Sequence, residues 1–147
     1  MSATAVPLKP AFKVFISHSR EDQPLVDRIE RGLTFGGRVR VLTDRRMVSA
    51  GQHWRTELRR ALETTDVFIV IGSPASARSD FVLQELGGAW ALGKPIVIVT
   101  PEGEVEWAPP IEPSAYKRVA LTELEQPAFA EGLLTELTQH SVRKAEQ

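Results

Sequence analysis

Glu85 lies within Ser79-Asp80-Phe81-Val82-Leu83-Gln84-Glu85-Leu86, just downstream of the apolar run Val67-Phe68-Ile69-Val70-Ile71. It puts a carboxylate on the edge of an otherwise apolar helical stripe, one or two turns into a helix that follows a core strand. Such a group faces the carboxyl end of the sheet, where ligands bind in open α/β folds. The plainer alternative is a solvated helix glutamate, the commonest fate of this residue type. Phe81 stands one helical turn earlier and either lines a ligand pocket or packs on the sheet. Ser17, His18 and Arg20 follow the first apolar run, in a loop placed to touch a phosphate or a sugar. A guanidinium grips a pyrophosphate bidentately, although solvated loop arginines are commoner than dedicated ones.

The elements that must position these residues are legible as five apolar runs: residues 12–16, 38–42, 66–71, 95–99 and 116–121. The third and fourth are continuous and rich in Val and Ile, as in parallel strands covered on both faces. The second alternates arginine with apolar residues, which suits an edge strand. Helix-period stripes lie between them. Leu25, Val26, Ile29 and Leu33 form one, with Ser19 as N-cap and Glu21 and Asp22 in the first turn. Trp54, Leu58, Ala61 and Leu62 form a second; Val82, Leu86, Ala89, Trp90 and Gly93 form a third, capped by Ser79. Residues 127–143 carry Phe129, Leu133, Leu134 and Leu137. Residues 102–114, with several prolines, read as an irregular connection holding at most a short helical turn. The alternation implies an α/β fold: a three-layer, flavodoxin-like, five-stranded parallel sheet of order 2-1-3-4-5 with helices on both faces. Its winding reverses between the first and third strands, so the loops at 17–20 and 73–79 diverge and leave a crevice toward which Glu85 projects.

The chain has 147 residues, a formal net charge of −1 and no cysteine. One domain over residues 12–143 is expected, with a flexible lead-in at 1–11 and a short tail at 144–147. Near-neutral charge gives no global attraction to nucleic acid or anionic membrane. Absence of cysteine excludes disulfides and thiolate chemistry and suits the cytoplasm. The start does not read as a signal peptide, and no apolar run reaches the ~20 residues of a membrane span. Gly88-Ala89-Trp90-Ala91-Leu92-Gly93-Lys94 spells the start of a phosphate loop, but Pro95 follows where Ser or Thr belongs, and the segment enters a strand rather than leaving one. It reads better as a helix end with Gly93 in the left-handed position. His18, His53 and His140 are too scattered to ligate a metal, and Ser73 lacks a nucleophile elbow. A response-regulator receiver would need acidic residues where this chain has Ser17 and Gly72-Ser73.

Three segments in order carry a family likeness: Phe15-Ile16-Ser17-His18-Ser19; the loop running from Thr43-Asp44-Arg45-Arg46 to Gly51; and the interval from Phe81 to Glu85. Together they resemble the Toll/interleukin-1 receptor (TIR) domain family, particularly its prokaryotic members, over about residues 12–140. The family more often has Trp at the position of Phe81. The resemblance implies either an NAD+-cleaving enzyme, in which the motif glutamate is catalytic, or a non-catalytic module, an adaptor that only self-associates or a mimic of host TIR proteins; retention of Glu85 favours the enzyme. It also implies NAD+ as substrate with no separate cofactor or metal, and a pocket completed by a second protomer in a homo-oligomer or filament. A sensor domain or activator partner would restrain it in bacterial defence signalling. Asp44 and Gly51 bracket the loop after the second strand, Asp44 fixing its start and Gly51 supplying backbone freedom; Trp54 packs in the core or stacks on ligand. Seven arginines between Arg38 and Arg60 suit a solvated or assembly face more than a phosphate clamp. A nucleoside-processing transferase on a related fold, which also sets a glutamate near a ribose, is a further alternative.

Overall fold

A computed structural model of the chain describes residues 11–43, 54–104 and 106–146; at residue 54 and residues 140–146 only the backbone is described. Five strands, β1 (Phe12–Ser17), β2 (Val39–Leu42), β3 (Val67–Ile71), β4 (Ile96–Thr100) and β5 (Tyr116–Ala120), form one sheet in the order β2-β1-β3-β4-β5. Every pairing is parallel, with Val14 opposite Val67 and Ser17 opposite Val70 across β1 and β3. All five residues of β3 are buried, whereas edge strand β2 buries Val41 and exposes Arg40. That contrast is the physical content of the continuous and the alternating patterns.

Helices α1 (Gln23–Thr34), α2 (Trp54–Thr64), α3 (Pro74–Ala77), α4 (Asp80–Ala91), α5 (Leu121–Leu124) and α6 (Pro127–Glu146) cover the sheet. Strand alternation divides the core in two. Val14, Ile16, Ile69, Ile71 and Val97 face Val26, Ile29 and Leu33 of α1 together with Leu121, Leu124, Leu133 and Leu134. On the opposite face Phe15, Phe68, Val70 and Ile98 meet Leu62 of α2 and Val82, Leu86 and Ala89 of α4. The rings of Phe15 and Phe68 stack there at 5.7 Å.

The connection from β4 to β5 has no α-helix among its described residues. Trp107 and Ile111 from this irregular segment pack against the second core where a helix would otherwise lie. Trp90 and Phe129, expected inside apolar stripes, are exposed; Trp90 donates its indole N–H to Glu112 Oε2 at 3.0 Å. An indole needs a partner for that proton, and the half-open position supplies one. Ser19 precedes a 3-10 turn (Arg20–Asp22) and does not cap it by accepting an N–H; its hydroxyl donates to Asp22 instead. Gly93, at φ +69°, ends α4 as expected, with Lys94 N–H donating to the Ala89 carbonyl and Gly93 N–H to that of Trp90. This is the paired bond pattern of a Schellman end. Helix α6 extends to Glu146, beyond the expected end at 143.

Helix α1 meets α5 almost backbone to backbone. A Cβ on Gly32 would sit 2.6 Å from the Leu124 carbonyl oxygen and 2.9 Å from that of Glu125. A helical glycine gives up about 1 kcal/mol relative to alanine, but pressing a methyl group into two rigid carbonyls costs about 1–3 kcal/mol, so glycine is the better residue there. One turn away Arg28 closes the same contact by gripping Glu125 with Nε at 3.1 Å and Nη2 at 2.5 Å. The guanidinium holds the Glu125 carboxyl below the usual carboxylate range, chiefly through that hydrogen bond, and Glu125 raises Arg28 in turn.

A lowered native pKa stabilises the fold only while the carboxyl is ionised. The contribution is therefore full above the unfolded-state value and is lost as pH falls through the native one. Urea unfolding at low salt should find wild type more stable than Glu125→Gln at about pH 7, with the difference shrinking toward about pH 3. A difference that stays constant over that range would show that the ion pair adds nothing.

Candidate active site

Chains leave β1 and β3 side by side and depart to opposite faces of the sheet, β1 into α1 and β3 through α3 into α4. Two carboxylates lie at this fork. Ser79 starts α4 by accepting the Val82 N–H at 3.2 Å, and Asp80 places negative charge in the first turn. These features favour helix initiation at that point, which sets the register that turns Glu85 toward the sheet. Ser17, the last residue of β1, shares the face of Phe15 and meets it: Ser17 Oγ donates to Glu85 Oε1 at 2.7 Å.

Both residues are fully buried. The expected open crevice is therefore not what surrounds Glu85 here; the carboxylate lies at the carboxyl end of β1 but is closed off from solvent. Desolvating a carboxylate costs several kcal/mol even after relaxation. One hydrogen bond to a charged acceptor contributes roughly 1.5–3 kcal/mol, so the Ser17 contact does not by itself offset the burial.

On the α1 side of the fork, Asp22 Oδ2 accepts the hydroxyls of Ser73 at 2.5 Å, Ser19 at 3.1 Å and Ser76 at 3.2 Å. Ser73 also accepts the Ser76 N–H at 3.1 Å, starting α3. The cluster ties the loop leaving β1 to the loop leaving β3. The sequence marks Asp22 only as a first-turn acid; its signal as a hub is the set of hydroxyl residues in the two loops that the strand order makes neighbours.

The remaining expected site residues are dispersed. His18 is buried at 7% exposure, with Nε2 3.1 Å from Gln23 Oε1. Arg20 is exposed on the 3-10 turn. Phe81, at 37% exposure, is not packed into the sheet core. Asp44 and Gly51 lie outside the described residues, and Trp54 contributes the first backbone position of α2. Two hollows lie elsewhere. One of about 500 Å³ runs between α2 and α4 past Arg55, Leu58 and Gln84, and one of about 550 Å³ lies by Trp90, Glu112 and Tyr116; Glu85 lines neither. Among the described residues, no His, Asp and Glu side chains gather in a group fit to hold a metal ion, and no helix is long and apolar enough to cross a membrane.

A sequence profile of the TIR domain matches residues 14–137, and the chain belongs to that family. No curated protein matches it. Among solved structures it is similar to the CMP N-glycosidase BcmB of Clostridium botulinum, with 16% identity, a TM-score of 0.51 and coverage of 81% of this chain and 96% of that one. At that identity the likeness is one of fold.

Removing the Asp22 carboxylate leaves three hydroxyl donors without their acceptor in a closed site. Asp22→Ala should lose about 2–3 kcal/mol of stability. Asp22→Asn, whose amide oxygen still accepts, should lose less. Urea denaturation measures both, and an alanine variant as stable as wild type would remove the cluster's structural role.

Proposed function

We propose that this TIR domain is an NAD+ nucleosidase in which Glu85 is the catalytic carboxylate. The observation that carries the reading is the enclosed Glu85 carboxylate, held by the Ser17 hydroxyl at the carboxyl end of β1 beside the reversal of winding. Hydrolysis of ordinary glycosides takes two carboxyl groups because an alkoxide leaving group needs a proton. Nicotinamide in NAD+ is already cationic on the ribose. When its bond to the ribose C1′ breaks, it leaves as a neutral molecule with the bonding pair, and no general acid is required.

What remains to be stabilised is the positive charge developing on the ribose, and one carboxylate near the ribose hydroxyls suffices. Preorganised charge in a water-poor site contributes on the order of 3–4 kcal/mol to such a step. Water, losing a proton, or an internal nucleophile of the product then captures the cation, giving linear or cyclic ADP-ribose. Phe81 serves as a wall for base or nicotinamide, and exposed Arg20 as a phosphate contact. The enzyme acts in the cytoplasm in bacterial defence signalling, assembled head to tail and restrained by a sensor or activator partner. Heterologous contacts of that type build open filaments.

Substrate reaches Glu85 only if the groups enclosing it separate. A second reading, which needs no such opening, is a non-catalytic TIR interaction module in which Glu85 is a core residue. The fold shared with BcmB, a CMP N-glycosidase, makes CMP the natural comparison substrate for a third, nucleoside-processing reading.

Concentrated protein incubated with NAD+ should release nicotinamide, resolved by chromatography, and Glu85→Gln should lower the rate about 10²–10³-fold. Specific activity should fall on dilution as assemblies dissociate. Silence of wild type at high concentration is the outcome of either the interaction module or an absent activator, and turnover of CMP without NAD+ supports the third reading. Unimpaired release by Glu85→Gln would sink the assignment of the carboxylate.

A further inference from the structure

We propose that His18 positions the substrate by accepting a hydrogen bond at Nδ1 from a hydroxyl or amino group of the nucleotide bound beside Glu85. The inference rests on the nucleotide-cleaving reading above and assigns His18 the atom and the polarity of its contact. It starts on α1, where Gln23 Nε2 donates to Asp27 Oδ1 at 2.8 Å. A carboxylate only accepts, so the Gln23 amide must turn its NH2 toward Asp27 and its oxygen the other way.

That oxygen, Oε1, stands 3.1 Å from His18 Nε2. An amide oxygen also only accepts, so in the neutral ring the proton resides on Nε2 and Nδ1 carries a bare lone pair. The two side chains of α1 thus select the tautomer of a histidine at the end of β1. His18 Nδ1 is enclosed and has no hydrogen-bonding partner among the described residues. A closed acceptor left unmet is unfavourable, and in the chain His18 directly follows Ser17, whose hydroxyl holds Glu85.

The polarity restricts the partner. A lone pair attracts an O–H or N–H and repels phosphate oxygens, so of the contacts open to this loop His18 takes the sugar or base donor, and phosphate falls to Arg20. Ribose hydroxyls and an exocyclic base amine share this chemistry.

Nitrogen-15 NMR of labelled histidine in the Glu85→Gln protein, where NAD+ stays intact, tests the proposal. In the free protein His18 should show a protonated Nε2 and a bare Nδ1, and NAD+ should shift Nδ1. Loss of that shift with a 2′-deoxy dinucleotide assigns the donor to the sugar, and loss with nicotinamide hypoxanthine dinucleotide assigns it to the base; either supports the contact. In protein with Glu85 intact, His18→Phe should raise KM about tenfold with kcat little changed, the effect of one lost hydrogen bond. His18→Asn, able to place an amide oxygen where Nδ1 stood, should recover most of it.

A protonated Nδ1 in the free protein overturns the proposal. So does NAD+ that shifts the backbone amide of Phe81 while Nδ1 stays unmoved, and the nucleotide reading survives that result. Absence of any NAD+-induced shift overturns both together. Binding with the Nδ1 shift but without cleavage by wild type leaves the contact standing and removes only the catalysis.

Discussion

Two neighbouring parallel strands that send their chains to opposite faces create a fork, and polar groups inside it must find partners within the protein. In this chain the fork lies between β1 and β3, and carboxylate–hydroxyl bonds close it on both sides. Asp22 gathers serines from both departing loops, and Glu85 ties α4 to the last residue of β1. Hydrogen bonds to ionised acceptors are shorter and stronger than neutral ones. Their short span leaves little freedom to the segments they join. The 3-10 turn at Arg20–Asp22 and the start of α3 therefore depend on one another.

Much of this architecture is legible in the sequence because it rests on local pattern. Continuous Val and Ile mark β3 and β4 as doubly covered, alternating arginines mark β2 as an edge, and Gly93-Lys94-Pro95 ends α4 where its composition says it must. Two of the failures share a cause: they depend on partners distant in sequence. Trp90 fits the periodicity of the α4 stripe, but its environment is set by Glu112, 22 residues on. Asp22 reads as a helix-start acid until a strand order 51 residues wide brings Ser73 to it. Phe129 fits the stripe of α6 yet stays exposed. The position of Glu85 at the carboxyl end of β1 follows from helix register alone. Its complete enclosure does not, because burial depends on everything packed around it.

The two carboxylates at the fork differ in what their hydroxyl partners do. Around Asp22 the donors come from two separate loops, so exchanging any one of them for a ligand loosens a tertiary connection. Ser17 belongs to β1, whose pairing with β3 extends through Ser17 opposite Val70 and does not rely on its side chain. The Ser17 hydroxyl can turn away without unpairing the strand. On the proposed nucleosidase reading a ribose hydroxyl would bring the same O–H donor, so substitution at Glu85 would trade one charge-assisted bond for another of equal kind. Enclosure and catalysis are compatible on that reading: the serine solvates the carboxylate in the resting protein, and a sugar hydroxyl would replace it once the surrounding groups part. The low-dielectric setting that makes Glu85 costly to bury also makes its charge effective against a developing cation. An enclosed acid at a strand end thus has a chemical use that an equally buried hydrocarbon would lack.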